Sequence, residues 1–187
     1  MEKETPSLQT KEAAMDTKGI FFALARYDAR ALIEMIIFTT LAIVLPALLA
    51  HTPNNQWITG TIVNAILFAA ALRIGIVNAA AIGILPSVIA LVRGLLPAPM
   101  AVMIPYIMLG NMAMITTFGL LRIRSLVTRV IAASLFKFVV IFAASSLAVI
   151  IPANIIRMMQ WPQLITALAG GMAVIAILKT SKWLTQK

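Results

Sequence analysis

The sequence has no cysteine, a single histidine (His51) and only six carboxylate side chains in 187 residues. All six acids, Glu2, Glu4, Glu12, Asp16, Asp28 and Glu34, precede Met35. Beyond them a carboxylate pair for acid–base work, a thiolate nucleophile and a multi-histidine metal site cannot be assembled. Most hydrolytic and metalloenzyme chemistry is thereby excluded, and the chain is expected to be no enzyme, with no cofactor and no bound metal. There is also no phosphate loop of the G-x-x-x-x-G-K type. The absence of cysteine leaves the redox compartment open.

Charge of either sign is scarce. Charged residues make up 11% of the chain and hydrophobic ones 61%, with a mean hydropathy of +1.00. Soluble domains carry about 25% charged and about 45–50% apolar residues. A domain of this length has no interior large enough for so much apolar surface, so its solvent is lipid and no nucleic-acid partner is expected.

Residues 1–19 are polar, with Lys3, Lys11 and Lys18 among acids, and read as a solvated tail. They lack the early apolar core and small-residue cleavage site of a signal peptide. Residues 19–24 (GIFFAL) precede Arg26, Asp28 and Arg30 and read as an interfacial segment. Six apolar segments follow, at 31–50, 57–72, 74–92, 98–121, 126–151 and 162–178. Each is near the ~20 residues that cross a bilayer. The second and third are separated only by Arg73-Ile74-Gly75. A single helix through both would be ~54 Å long, too long for one crossing, so a tight hairpin is expected there. Pro46, Pro86 and Pro105 fall inside these segments, where bundle neighbours can satisfy the carbonyls that proline frees.

The expected fold is an all-α membrane protein with six transmembrane helices in one bundle. Residues 1–30 form a tail and interfacial segment, 31–180 the membrane domain and 181–187 a C-terminal tail. With both termini cytoplasmic, twelve Lys and Arg lie inside and two, Arg93 and Arg157, outside, while Lys137 is within the fifth span. That asymmetry obeys the positive-inside rule and implies a multi-pass membrane protein, for which a prokaryotic plasma membrane is the expected location. Trp57 and Trp161 suit the outer aromatic belt and Trp183 the inner one. The external face carries positive charge and no acid.

The topology resembles that of the substrate-binding S components of energy-coupling factor (ECF) transporters. So does the middle of the chain: Asn64-Ala65-Ile66-Leu67, Asn78, Leu85-Pro86-Ser87, Arg93-Gly94-Leu95-Leu96-Pro97-Ala98-Pro99, Ile104-Pro105-Tyr106 and Gly110-Asn111. The resemblance implies a subunit that binds a vitamin or similar micronutrient near its outer face. It further implies docking on a transmembrane T subunit driven by two cytoplasmic ATPases. The chain departs from the group in its first helix, where the A-x-x-x-A docking spacing occurs only at Ala25 and Ala29, at or before the membrane edge. Small-residue stripes lie elsewhere, at Ala65/Ala69, Ala79/Gly83/Ser87, Ala169/Ala173 and Ala167/Gly171, and suit close helix packing.

Nine residues are candidate substrate contacts. Lys137 lies about eight residues, or ~12 Å, into the fifth span, where an ionisable group is costly and points to function; the alternative is a stem that snorkels to the inner interface. Arg93 and Arg157 face outward without acids and suit a carboxylate or phosphate, or else lipid phosphate. His51 and Asn55 flank the first external loop, where His51 is a helix-end residue, a substrate contact or an axial haem ligand. Asn64 and Asn111 are amides inside spans that must find partners, across helices or on a ligand, whereas Asn78 is too close to the cytoplasmic side to bind. Tyr106 and Trp161 offer aromatic faces. Met108 and Met112 share a face of the fourth span, suited to a soft metal or flat apolar ligand and more simply to packing.

Taken together, these residues lead to an expected importer subunit for a neutral or anionic micronutrient, a vitamin or its precursor. A haem or other tetrapyrrole ligand is the alternative within that class. A membrane scaffold of the rod-shape protein D type is the alternative outside it. A lipid-acting enzyme is disfavoured because no acid–base pair exists beyond Glu34.

Overall fold

A computed structural model describes residues 29–49, 52, 55–93, 98–147, 156–157 and 160–185. The tail, the interfacial segment, His51 and most of the external-loop positions named above lie outside the described residues, as does the side chain of Trp183. The chain divides into two units, Met1–Glu34 and Met35–Lys187. In the first, Arg30 Nε pairs with Glu34 Oε1 at 3.2 Å, one helical turn away.

Six α-helices are described, and among the described residues there is no strand. They are α1 (Ala29–Leu49), α2 (Asn55–Arg73), α3 (Gly75–Val92), α4 (Ile104–Leu120), α5 (Leu126–Leu147) and α6 (Trp161–Thr185), with a 3-10 turn at Ala98–Met103 before α4. Five are long and apolar enough to cross a membrane, and α3 is the shorter apolar helix. Its 18 residues rise about 27 Å, close to the ~30 Å hydrocarbon thickness. The protein is thus an all-α, multi-pass membrane bundle.

The expected hairpin is present. Gly75 has φ +85°, a left-handed turn that glycine makes without the Cβ clash of other residues. Beyond it α3 folds back along α2, so that Gly83 meets Leu67. Pro105 stands in the first turn of α4, within the stretch Ala101–Leu120 that is long and apolar enough to cross a membrane. The missing N–H is one that no helical carbonyl needs there. Pro46 and Pro86 do lie inside α1 and α3. The sixth helix runs past the expected end at 178 to Thr185, with Lys179 in its last two turns.

The helix ends are finished locally. Thr52 donates its N–H and its hydroxyl to the Leu49 carbonyl, at 3.0 and 2.7 Å. Ser125 Oγ accepts the Thr128 N–H at 3.2 Å and caps α5. Arg129 Nε donates to the Phe118 carbonyl at 2.9 Å, and its guanidinium lies 4.0 Å from the centre of that ring. A basic side chain thereby satisfies one of the orphan carbonyls at the end of α4.

Close contacts give the helix directions. Gly119 meets Ile76 and Gly83 meets Asn111, so α3 and α4 are antiparallel; Gly60 meets Thr166 and Gly170 meets Ala65, so α2 and α6 are parallel. Arg73, Arg122, Arg124, Arg129 and Lys179 consequently share one end of the bundle, and Arg93, Arg157, Trp57 and Trp161 the other. This is the segregation that the charge asymmetry requires. Phe68 and Phe118 pack edge to face at 5.0 Å in the core, with Leu67, Ile82, Met114 and Ile115 fully buried around them.

The approach of α2 and α6 is set by Gly170, where an added Cβ would lie 2.7 Å from both the Ala65 nitrogen and the Thr61 carbonyl oxygen. Of the small-residue stripes, Ala167/Gly171 is buried, whereas Ala169 is exposed. Gly170→Ala should therefore lower the thermal stability of the detergent-solubilised protein, by about 1–3 kcal/mol for overpacking, and Ala169→Leu should leave it unchanged. Equal stability of Gly170→Ala and the parent would contradict this packing. Because the chain has no cysteine, a single introduced thiol reports topology cleanly. A membrane-impermeant maleimide on intact cells should label Thr52→Cys and spare Ser125→Cys; the opposite pattern would reverse the orientation.

Candidate functional site

The most polar place in the apolar bundle is at Lys137, in the middle of α5. Its side chain is 2% exposed, and its Nζ donates to Asn64 Oδ1 of α2 at 2.7 Å and to Asn111 Oδ1 of α4 at 2.8 Å. Each amide passes the interaction on. Asn64 Nδ2 donates to Thr166 Oγ1 of α6 at 3.3 Å, and Thr166 Oγ1 donates to the Gln163 carbonyl at 3.3 Å. Asn111 Nδ2 donates to the Gly83 carbonyl of α3 at 2.9 Å. One amine thus ties together five helices. Every bond in the chain points its donor away from Lys137, so the amide dipoles align and strengthen one another. Both amides are fixed in orientation: turned over, each would set N–H groups against Lys137.

Glycines make room for this cluster. An added Cβ at Gly83 would be 3.3 Å from Asn111 Cβ, at Gly60 3.1 Å from Thr166, at Gly170 3.0 Å from Asn64 Cβ, and at Gly110 3.5 Å from Lys137 Cγ. Each polar residue is therefore seated against a glycine of a neighbouring helix. Ser134, one turn before Lys137 on α5, is fully buried and its Oγ has no hydrogen-bond partner. Such an orphan hydroxyl costs free energy in an apolar surrounding. No acid is available to this cluster, since none occurs after Glu34.

Three of the expected contacts, Asn64, Asn111 and Lys137, therefore form one site. The snorkelling alternative for Lys137 is overturned, because its head group is committed to amides at mid-bundle. Asn78 differs from Asn64 and Asn111: it bonds within its own chain segment, Nδ2 to the Ile74 carbonyl at 2.8 Å. The other described candidates lie at the opposite end from Arg73 and Arg129. Asn55 opens α2 and its carbonyl accepts the Thr59 hydroxyl at 2.7 Å. Tyr106 is 37% and Trp161 60% exposed, and Trp161 rests its ring 5.2 Å from that of Phe138. Arg157 is exposed beside Gln160, whose Nε2 donates to Ser145 Oγ at 3.3 Å. Arg93 ends α3 at the mouth of a cavity of about 260 Å³ between α1 and α3. His51 lies outside the described residues.

Thr166 and Ser134 are the members of the cluster that sequence reasoning passed over. Their signal was a hydroxyl in mid-span with glycines in the facing spans. Met103 and Met114 are fully buried and serve packing. Among the described residues no three His, Cys, Asp or Glu side chains are grouped to hold a metal.

No family model, curated protein or solved structure matches the chain.

Lys137→Met leaves two buried amide oxygens without their donor, an unpaired-acceptor penalty of about 1–3 kcal/mol. It should lower unfolding stability in detergent micelles by that order. Ser134→Ala, which removes an orphan hydroxyl, should be neutral or stabilising. A stable Lys137→Met protein together with a destabilised Ser134→Ala protein would contradict this bonding scheme.

Proposed function

We propose that this chain is the substrate-binding membrane subunit of an ECF-type importer, in the plasma membrane of a prokaryote. It captures a neutral or anionic micronutrient, a vitamin or its precursor, from the outer side. The observation that carries the reading is Lys137: a basic group at the centre of a membrane bundle, held by neutral amides and lacking any acid. An ionisable residue so placed is expensive to insert, and beyond the bonds it makes within the bundle it is by default a candidate for function. When protonated, its third N–H and its uncompensated charge suit a carboxylate or phosphate of a ligand. Arg93 and Arg157, at the end we assign to the outside, favour the same sign of ligand during approach.

The six-helix topology and the Asn64–Asn111 stretch support the family reading. In that reading the chain hydrolyses nothing, and a T subunit with two ATPases supplies the driving force. The rod-shape scaffold reading leaves Lys137 its structural task alone and gives its third N–H no partner.

The test is mass spectrometry of small molecules retained by the purified protein, followed by titration with a panel of vitamins and haem. One vitamin-class compound should bind, and Lys137→Met should weaken it at least tenfold, the loss expected for a charge-assisted hydrogen bond. Failure to bind any member of the panel, with copurification of wall-synthesis proteins in place of ATPases, would overturn the reading.

A further inference from the structure

The cavity between α1 and α3 is separate from the Lys137 cluster and has its own chemistry. It is lined by residues of the last two turns of each helix, among them Ala42, Pro46 and Ala47 of α1 and Pro86 and Ile89 of α3, with Arg93 at its end. Pro46 and Pro86 both line it. Neither has an N–H, and each ring crowds the carbonyl four residues earlier, so two smooth helices cannot close on one another here. A space of about 260 Å³ remains. Its walls are apolar apart from Arg93, so water has no set of polar partners in it. Left empty, it would forfeit the dispersion contacts of its lining.

The cavity lies between two apolar helices at the end of the bundle where a headgroup layer begins. Residues 42–48 rise about 9 Å, the upper third of a ~30 Å hydrocarbon core. The Arg93 guanidinium makes no hydrogen bond or ion pair among the described residues, and no acid after Glu34 competes for it. A guanidinium binds phosphate through two parallel hydrogen bonds. With Arg157 at the same end, the local charge favours a headgroup of net negative charge over a zwitterionic one.

We infer that this cavity is a binding site for one anionic phospholipid, its acyl chain lying between α1 and α3 and its phosphate on Arg93. The lipid fills the space between the two helices and supplies an anion, which no side chain after Glu34 can. It seats α1, whose apolar residues Ile36, Ile37 and Leu41 outside the cavity are exposed, against α3.

The experiment is native mass spectrometry of the full chain released from micelles containing equal phosphatidylglycerol and phosphatidylcholine. The parent should retain one phosphatidylglycerol in preference to phosphatidylcholine. Arg93→Ala should lower phosphatidylglycerol occupancy about fivefold, the effect of one basic residue at an anionic membrane surface. Arg93→Lys should give an intermediate loss and Arg157→Ala little change. Ala47→Phe, which fills the cavity, should abolish retention of either lipid. If Ala47→Phe does not fold, the Arg93 pair still decides, since both substitutions are at an exposed position. Equal occupancy in Arg93→Ala and the parent, no headgroup preference in the parent, or a water-soluble molecule retained in an Arg93-dependent way in place of lipid would each overturn the inference. None of these results depends on whether a micronutrient binds at Lys137.

Discussion

The bundle is organised around the donation of two hydrogen bonds by one buried amine. Lys137 joins Asn64 and Asn111 directly, and through them Thr166 and the Gly83 carbonyl. Lipid tails are as apolar as leucine, so helices in a membrane lack the hydrophobic driving force that folds soluble domains. Close packing and interhelical hydrogen bonds must supply specificity instead. A polar cluster with contributions from α2, α3, α4, α5 and α6 fixes their register, because sliding any one helix leaves an amide or the amine unsatisfied in an apolar surrounding.

The glycines are the other half of the same design. Asn111 faces Gly83, Thr166 faces Gly60, Asn64 faces Gly170 and Lys137 passes Gly110. Short polar side chains reach their partners only where the helix backbones come close, and glycine permits that approach. Away from this centre the packing is aromatic and aliphatic, with Phe68 against Phe118 and Arg129 closing the end of α4 over the same ring. The first helix stands apart from this scheme: Ala42 is its buried contact, with Met35, Phe38 and Leu45 packed against the core, and most of its length faces lipid.

Much of this was legible from residue pattern alone. Apolar runs located the six helices to within a few residues, since lipid leaves the chain few alternatives to helix. The Arg73-Ile74-Gly75 hairpin followed from length, and the structure places the left-handed residue at Gly75. The fourth apolar run holds Pro105 as expected, but it begins in a 3-10 turn that hydropathy cannot distinguish from helix. The site was half visible. Lys137, Asn64 and Asn111 each stand out as polar residues inside spans, but their convergence depends on which helices are neighbours. Thr166 and Ser134 escaped notice because a hydroxyl in a span ordinarily bonds its own backbone, as Thr59, Thr61 and Thr180 do here. The external arginines stood out by charge, yet the cavity that Arg93 borders lies between α1 and α3, which hydropathy does not pair.

The account stands on the claim that Lys137 and its amides act as one unit. A double-mutant cycle of Lys137→Met and Asn111→Leu, read by reversible unfolding in detergent micelles, measures that directly. Residues sharing one hydrogen-bond network are coupled by about 0.5–3 kcal/mol, so the double variant should be clearly less destabilised than the sum of the singles. Additive losses would contradict the claim, because they would mean that the amine and the amide contribute independently and that the five helices are not joined through Lys137.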